Sequence, residues 1–296
     1  MRFGLVGTGP WASIAHGPGL VAAAGVELAG VWGRHPDKRR ALASQLGVPS
    51  YDDFDALLED VDAVAFAVPP DVQAELAQLA ARAGKHLLLD KPVATTVDAA
   101  HAVRDAASAA GVASVVFFTH RFADATREWL RQIRTTDGWR GGWLRWFSAL
   151  QEPDNPFGDS PWRQERGALW DTGPHALSTL DAALGPLTLL NAVKGEGDLV
   201  AVVLRHESGA TSTVSLTQFA PPAAAGFEAA VWGEAGILPM PPLLEDELPD
   251  LLATAAEELV RAAVSGATHE VDAAFGARIV ELLAAAQAQI DQARSA

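Results

Sequence analysis

The chain has 296 residues, 49% of them hydrophobic and 20% charged, which is enough apolar material for a large core and too much for a disordered chain. Its formal charge of −15 opposes both a nucleic-acid backbone and an anionic membrane surface. With no cysteine, disulfides, thiol catalysis and thiolate metal sites are excluded.

Five short apolar runs are predicted as strands: Arg2–Val6, Glu27–Trp32, Ala63–Val68, His86–Leu89 and Ala113–Thr119. Most lack polar alternation, as strands covered on both faces do. Between them, Ala12–Ala24, Pro36–Leu46, Val72–Ala83 and Val97–Ala110 carry alanine-rich helical patterns, with Asp52–Glu59 as a further short helix. Strand–helix alternation implies a parallel sheet with right-handed crossovers. After Thr119 the rhythm changes. Asp124–Arg134 reads as a helix, Gly142–Leu150 as a strand, Gln151–Gln164 as a proline-bearing loop and Pro174–Leu184 as a helix. Val200–Glu207, Thr211–Phe219 and Gly226–Trp232 read as antiparallel strands, followed by helices Pro249–Val264 and Ala273–Ala293. The expected organisation is an α/β dinucleotide-binding domain over residues 1–119 and an α+β domain over 120–296. No targeting segment and no apolar run of about 18 residues is found, so the expected location is the cytoplasm, with no membrane span.

Gly7-Thr8-Gly9-Pro10-Trp11-Ala12 follows the first strand and opens the first helix, fitting G-x-G-x-x-G/A. The first glycine permits the tight turn, the second admits a pyrophosphate to the backbone, and Ala12 allows close helix–strand packing. The second strand ends in Gly33-Arg34, with Lys38 one turn on, where NAD-binding domains usually carry a carboxylate for the ribose hydroxyls. A missing carboxylate beside cations suits a 2′-phosphate, so NADP is favoured, with NAD as the alternative. Val68-Pro69-Pro70 leaves the sheet at its carboxyl edge, and Gln73 is a candidate polar contact to the cofactor there.

Asp90-Lys91-Pro92 ends the fifth strand at that same edge. On these three residues alone, an exposed strand-end lysine paired with its neighbour is the simpler account. Asp171-Thr172-Gly173-Pro174-His175 opens a helix. Asp171 or Thr172 can cap it, and the positive helix end would keep His175 neutral, as a general base requires. A capping Asp with a buried structural His fits the spacing equally well. No histidine spacing fits a metal site, and none is expected.

Taken in order, Gly7-Thr8-Gly9, Val68-Pro69-Pro70, Ala83-Gly84-Lys85-His86 running to Asp90-Lys91-Pro92, and Asp171-x-Gly173-x-His175 resemble the Gfo/Idh/MocA oxidoreductases, named for glucose–fructose oxidoreductase and inositol dehydrogenase. The resemblance implies a Rossmann domain followed by a domain with a large, open, mostly antiparallel sheet. It also implies hydride transfer between nicotinamide and a sugar, polyol or related carbonyl compound. By it, Lys91 is the lysine of a Glu-Lys-Pro motif, here with Asp90 in place of Glu, and Asp171 and His175 are the acidic residue and histidine of the second motif. Lys91, His175 and Asp171 are thus the candidate catalytic residues. A cofactor-binding regulatory or scaffold subunit without turnover is the alternative. The resemblance also implies a homodimer or homotetramer through the sheet of the second domain.

Overall fold

The computed structural model describes residues 1–150, 160–242 and 248–295. The backbone divides into two compact units, one of residues 1–122 with 244–280, the other of residues 123–243 with 281–296.

In the first unit, six strands form a parallel sheet: β1 (Arg2–Val6), β2 (Glu27–Trp32), β3 (Ser50–Tyr51), β4 (Ala63–Phe66), β5 (His86–Asp90) and β6 (Ser114–Phe117). Their order is β3-β2-β1-β4-β5-β6, the doubly wound order that places ligands at the carboxyl edge where β1 and β4 diverge. Every residue of β4 and β6 is buried, which explains why these strands carry no polar alternation. The crossovers are a π-turn (Ala12–His16) running into α1 (Gly17–Ala22), then α2 (Pro36–Leu46), α3 (Phe54–Asp60), α4 (Pro70–Arg82) and α5 (Val97–Ala110). Local chemistry sets their ends. Pro36 and Pro70 open helices at the first position, where a missing N–H costs nothing, and Gly47 and Gly111 close α2 and α5 in the left-handed conformation.

In the second unit, α6 (Asp124–Arg134) precedes β7 (Trp139–Phe147), α7 (Pro161–Asp171), α8 (Gly173–Leu184) and strands β8 (Leu187–Lys194), β9 (Val200–His206), β10 (Thr211–Thr217), β11 (Gly226–Gly233) and β12 (Gly236–Pro239). The sheet order is β12-β11-β7-β10-β9-β8, antiparallel except for the β7–β10 pair. One face of β9 and β10 is covered, with Val202, Leu204, Val214 and Leu216 buried. The other presents Val203, Arg205, Thr211 and Thr213. α9 (Leu248–Ser265) belongs to the first unit, and the residues of α10 (Ala273–Ser295) are divided between the two at Val280.

Among the sequence expectations that change are two in the second unit. Pro161–Gln164, expected within a loop, is the first turn of α7, because Pro161 serves as a helix-opening proline; residues 151–159 of that loop lie outside the described residues. β8, expected as no element at all, is the sheet's edge strand, and a register shift between Leu189 and Asn191 breaks its alternation.

Candidate functional site

The carboxyl edge of the parallel sheet gathers four turns, those after β1, β2, β4 and β5. In the turn after β1, Gly7 has φ +129° and a Cβ there would lie 2.2 Å from Ala67 O, so only glycine fits. Gly7 N–H donates to Trp32 O at 2.9 Å, tying this turn to the end of β2. Gly9 is the opposite case: it is exposed and nothing lies within 4 Å of where its Cβ would be. Protein packing does not require a glycine there, whereas close approach of a phosphate group does. Ala12 is fully buried, as close helix–strand packing demands, while Thr8 and Trp11 are half-buried and Pro10 is exposed.

At the end of β2, a Cβ on Gly33 would lie 2.6 Å from Thr8 Cγ2. Gly33 and Thr8 thus pack as a pair, and a larger residue at 33 would have to displace the Thr8 side chain. Arg34 and Lys38 are exposed. The sequence reading passed over Arg39, which is buried; it donates to Gly33 O at 3.1 Å and pairs with Asp52, fixing the strand end from behind. Its signal was an arginine at a core-facing position of α2.

The turn after β5 is held by Gln73. This residue is fully buried on α4, below Val68-Pro69-Pro70. Its Oε1 accepts from Asp90 N at 2.7 Å, and its Nε2 donates to Asp90 O at 2.8 Å and to Pro92 O and Val93 O at 3.3 Å each. The direct cofactor contact expected of Gln73 is corrected here, because its amide is committed to backbone and its work is to shape the Lys91 turn. Asp90 Oδ1 accepts from Lys91 N at 2.7 Å, so the carboxylate holds the turn's backbone as well. Of the four lysines, Lys38 and Lys194 are exposed and Lys85 donates to Val61 O; Lys91 is the buried one, 9% exposed. A surface strand-end lysine is thereby set aside.

In the second unit, α7 kinks at Gly167 (φ +66°) and ends at Asp171, and α8 starts two residues on. Asp171 is 9% exposed. Its Oδ2 accepts from Gln218 Nε2 at 2.6 Å and from Arg163 Nε at 3.1 Å. Thr172 does not cap α8: it is helical and its hydroxyl donates to Ala168 O. Because α7 feeds almost directly into α8, its negative end offsets much of the positive end expected to act on His175. His175 is buried, and its ring packs against Trp146 of β7 at 5.6 Å between centroids; Phe227 of β11 meets Trp146 edge-on at 5.4 Å. Gln218 was missed. Its signal lay in the inward stripe Ser212, Val214, Leu216, Gln218, which ends on an amide where an apolar residue is the norm.

The tryptophans divide by role. Trp139 donates to Ile133 O, Trp170 is buried in the core, and Trp162 lies under the Arg163 guanidinium at 4.8 Å. Arg121 pairs with Glu270. Three buried histidines are held below their ordinary range by desolvation: His16 and His120, each lowered to about 4, and His206. Among the described residues, no group of three or more His, Asp or Glu could hold a metal, and no helix is long and apolar enough to cross a membrane.

A family described as an oxidoreductase family with an NAD-binding Rossmann fold matches residues 1–118. Among curated proteins, the chain is 31% identical over 231 residues to a dTDP-3,4-didehydro-2,6-dideoxy-alpha-D-glucose 3-reductase of Saccharopolyspora spinosa, covering 71% of this chain and 66% of that one. It is 30% identical over 227 residues to D-xylose 1-dehydrogenase (NADP(+)) 2 of Haloferax volcanii, covering 72% and 68%. The match thus spans about two thirds of each relative. Among solved structures, a levoglucosan dehydrogenase in complex with NADH and levoglucosan superposes with a TM-score of 0.86 at 18% identity, covering 99% of this chain and 97% of that one.

Proposed function

The chain belongs to the Gfo/Idh/MocA oxidoreductase family, and from that premise we propose that it moves a hydride between a nicotinamide cofactor and the secondary alcohol or ketone of a sugar or polyol. The observation that carries this reading is the turn after β1. Gly7 is forced by Ala67 O, while Gly9 leaves open space beside the turn, into which a phosphate group would fit. The residues fit a dinucleotide. The Gly7–Ala12 turn would take the pyrophosphate, and Val68, Pro69 and Pro70 with Asp90 and Lys91 would line the nicotinamide end. Exposed Arg34 and Lys38 beside Gly33 favour the 2′-phosphate of NADP over NAD.

The bound cofactor's contribution is hydride exchange at the nicotinamide C4. Lys91, the one buried lysine, donates from Nζ to the reacting oxygen and stabilises charge that develops on it. His175, its ring set by Trp146, exchanges the proton of that oxygen. Asp171 holds a neighbouring hydroxyl or tunes His175. Sugar-active relatives support this substrate class: one is named a D-xylose 1-dehydrogenase, another a levoglucosan dehydrogenase. We place the reaction in the cytoplasm.

The test is absorbance at 340 nm with NADP+ or NAD+ across a panel of aldoses, anhydrosugars, inositols and polyols, and with NADPH across ketosugars. Turnover with a member of the panel is expected. Tight NADPH binding with no turnover on any of them would favour a regulatory subunit. We also assign the open sheet face to a second copy of the chain, as a homodimer or homotetramer. Exposed Val193, Val203 and Trp232 lie on its strands. Light scattering should show an oligomer that Thr213→Arg and Ser215→Arg dissociate; a monomer, or an oligomer indifferent to both changes, would overturn this.

A further inference from the structure

Asp171 is not held by its own helix alone. Gln218, just past β10, donates Nε2–H to Asp171 Oδ2 at 2.6 Å. Gln218 is in turn anchored by Asp198, between β8 and β9. The Asp198 carboxylate accepts from Gln218 N at 2.9 Å, from the Thr217 hydroxyl, and from Ala168 N at 3.2 Å, next to the Gly167 kink. One carboxylate thus ties together the two segments that carry Gln218 and Asp171. Gln218 is 1% exposed, and its Oε1 has no hydrogen-bond partner. A buried unpaired acceptor is costly, and an apolar residue ending this inward stripe would avoid that cost. What glutamine supplies here, and leucine or methionine does not, is the amide donated to Asp171. The amide's orientation follows from the same contact, since reversing it would set a carbonyl oxygen against a carboxylate.

The geometry points to Gln218 as a positioning residue for Asp171, with Asp198 as its anchor. Together they fix the carboxylate's orientation and favour its charged form, one helical turn before His175. Among the described residues, charged groups near Asp171 include Arg163 on α7 and Asp198 behind Gln218, and His175 follows four residues later on α8. The catalytic importance of Asp171 rests on the proposed function; the contact itself does not.

Two measurements on the full chain test this. The first needs no turnover. Gln218→Glu places a second carboxylate against Asp171, and two like charges in contact resist joint ionisation even with Arg163 nearby. The folded pair then holds a proton to higher pH than it does unfolded. The variant's urea midpoint should therefore fall below wild type at pH 8 and return toward it by pH 5, while Gln218→Met shows a gap independent of pH. A Gln218→Glu gap that does not change with pH overturns the contact. The second measurement uses the sugar that the wild type oxidises in the 340 nm panel. Gln218→Met should lower kcat at least tenfold with KM within threefold. Gln218→Glu should move the acid limb of the kcat/KM profile up by about one unit, and Asp198→Asn should retain more activity than Asp198→Ala. A Gln218→Met kcat within twofold of wild type overturns the positioning role. A wild type without turnover defeats the oxidoreductase reading instead, and the denaturation arm still decides the Gln218–Asp171 coupling.

Discussion

Replacing Gln73 with methionine keeps the side chain's length and removes its amide, which isolates what that amide does for the Lys91 turn. Two of its hydrogen bonds are short, from Asp90 N at 2.7 Å and to Asp90 O at 2.8 Å; the two at 3.3 Å add little. Leaving the Asp90 N–H without an acceptor costs about 1–3 kcal/mol, and losing the donation to Asp90 O about 1 kcal/mol more, so the sum is about 2–4 kcal/mol. Urea denaturation followed by tryptophan fluorescence reads this directly as a lower midpoint at unchanged m-value. The Asp90–Val93 backbone carries Lys91, so the loss should also reach the chemistry, with kcat falling at least tenfold and NADPH affinity changing less. Gln73→Glu keeps the acceptor for Asp90 N but turns the donors into a buried charge facing carbonyl oxygens, and should be no better than methionine. A Gln73→Met protein within about 0.5 kcal/mol of wild type and fully active would refute the reasoning, because the four contacts would then be incidental to the turn.

Arg34→Ala should weaken NADPH binding roughly 10- to 100-fold and NADH little, the range expected for a lost charged hydrogen bond to the 2′-phosphate; equal weakening of both, measured by cofactor fluorescence, would reject the assignment. Gly33→Asp should fail to convert the chain to NAD and should weaken both cofactors, since its Cβ would lie 2.6 Å from Thr8 Cγ2; Gly33→Asp combined with Thr8→Gly should recover NADH binding, and tight NADH binding by the single variant would contradict the steric account. His16 and His120 stay neutral in the folded chain down to about pH 4 but take up protons near 6.5 when unfolded, so stability should fall as pH drops from 6.5 to 4. Each contributes about 3 kcal/mol to that fall, and His16→Leu should flatten the urea-midpoint profile in this window, an unchanged slope being the contrary result.

Much of the first unit was legible because its signals are local. A buried parallel strand reads as an unbroken apolar run, and Gly7 answers to a backbone constraint that leaves a mark in sequence. Gly33 was read as a missing carboxylate, and only the fold shows Thr8 packed against it. Two of the site residues that were missed or misjudged, Gln73 and Gln218, act at long range. Gln73 reaches Asp90 across 17 positions and Gln218 reaches Asp171 across 47, and nothing local in either segment announces its partner. The second unit was harder for a related reason: β8 is an exposed edge strand with a register shift, and α7 hides behind Pro161 and a kink at Gly167. The return of residues 244–280 to the first unit depends on long-range packing that no periodicity records.

The central claim is that this chain transfers a hydride between nicotinamide C4 and a sugar carbon, and deuterium transfer tests it most directly. With NADPH carrying deuterium at both C4 positions and the ketosugar that is active in the 340 nm panel, mass spectrometry of the alcohol formed reads the fate of the label. The account predicts a product one mass unit heavier, with the label on the carbon bearing the new hydroxyl, and its formation lost in Lys91→Met. Product without the label, or firm NADPH binding with no product from any ketosugar, would contradict it.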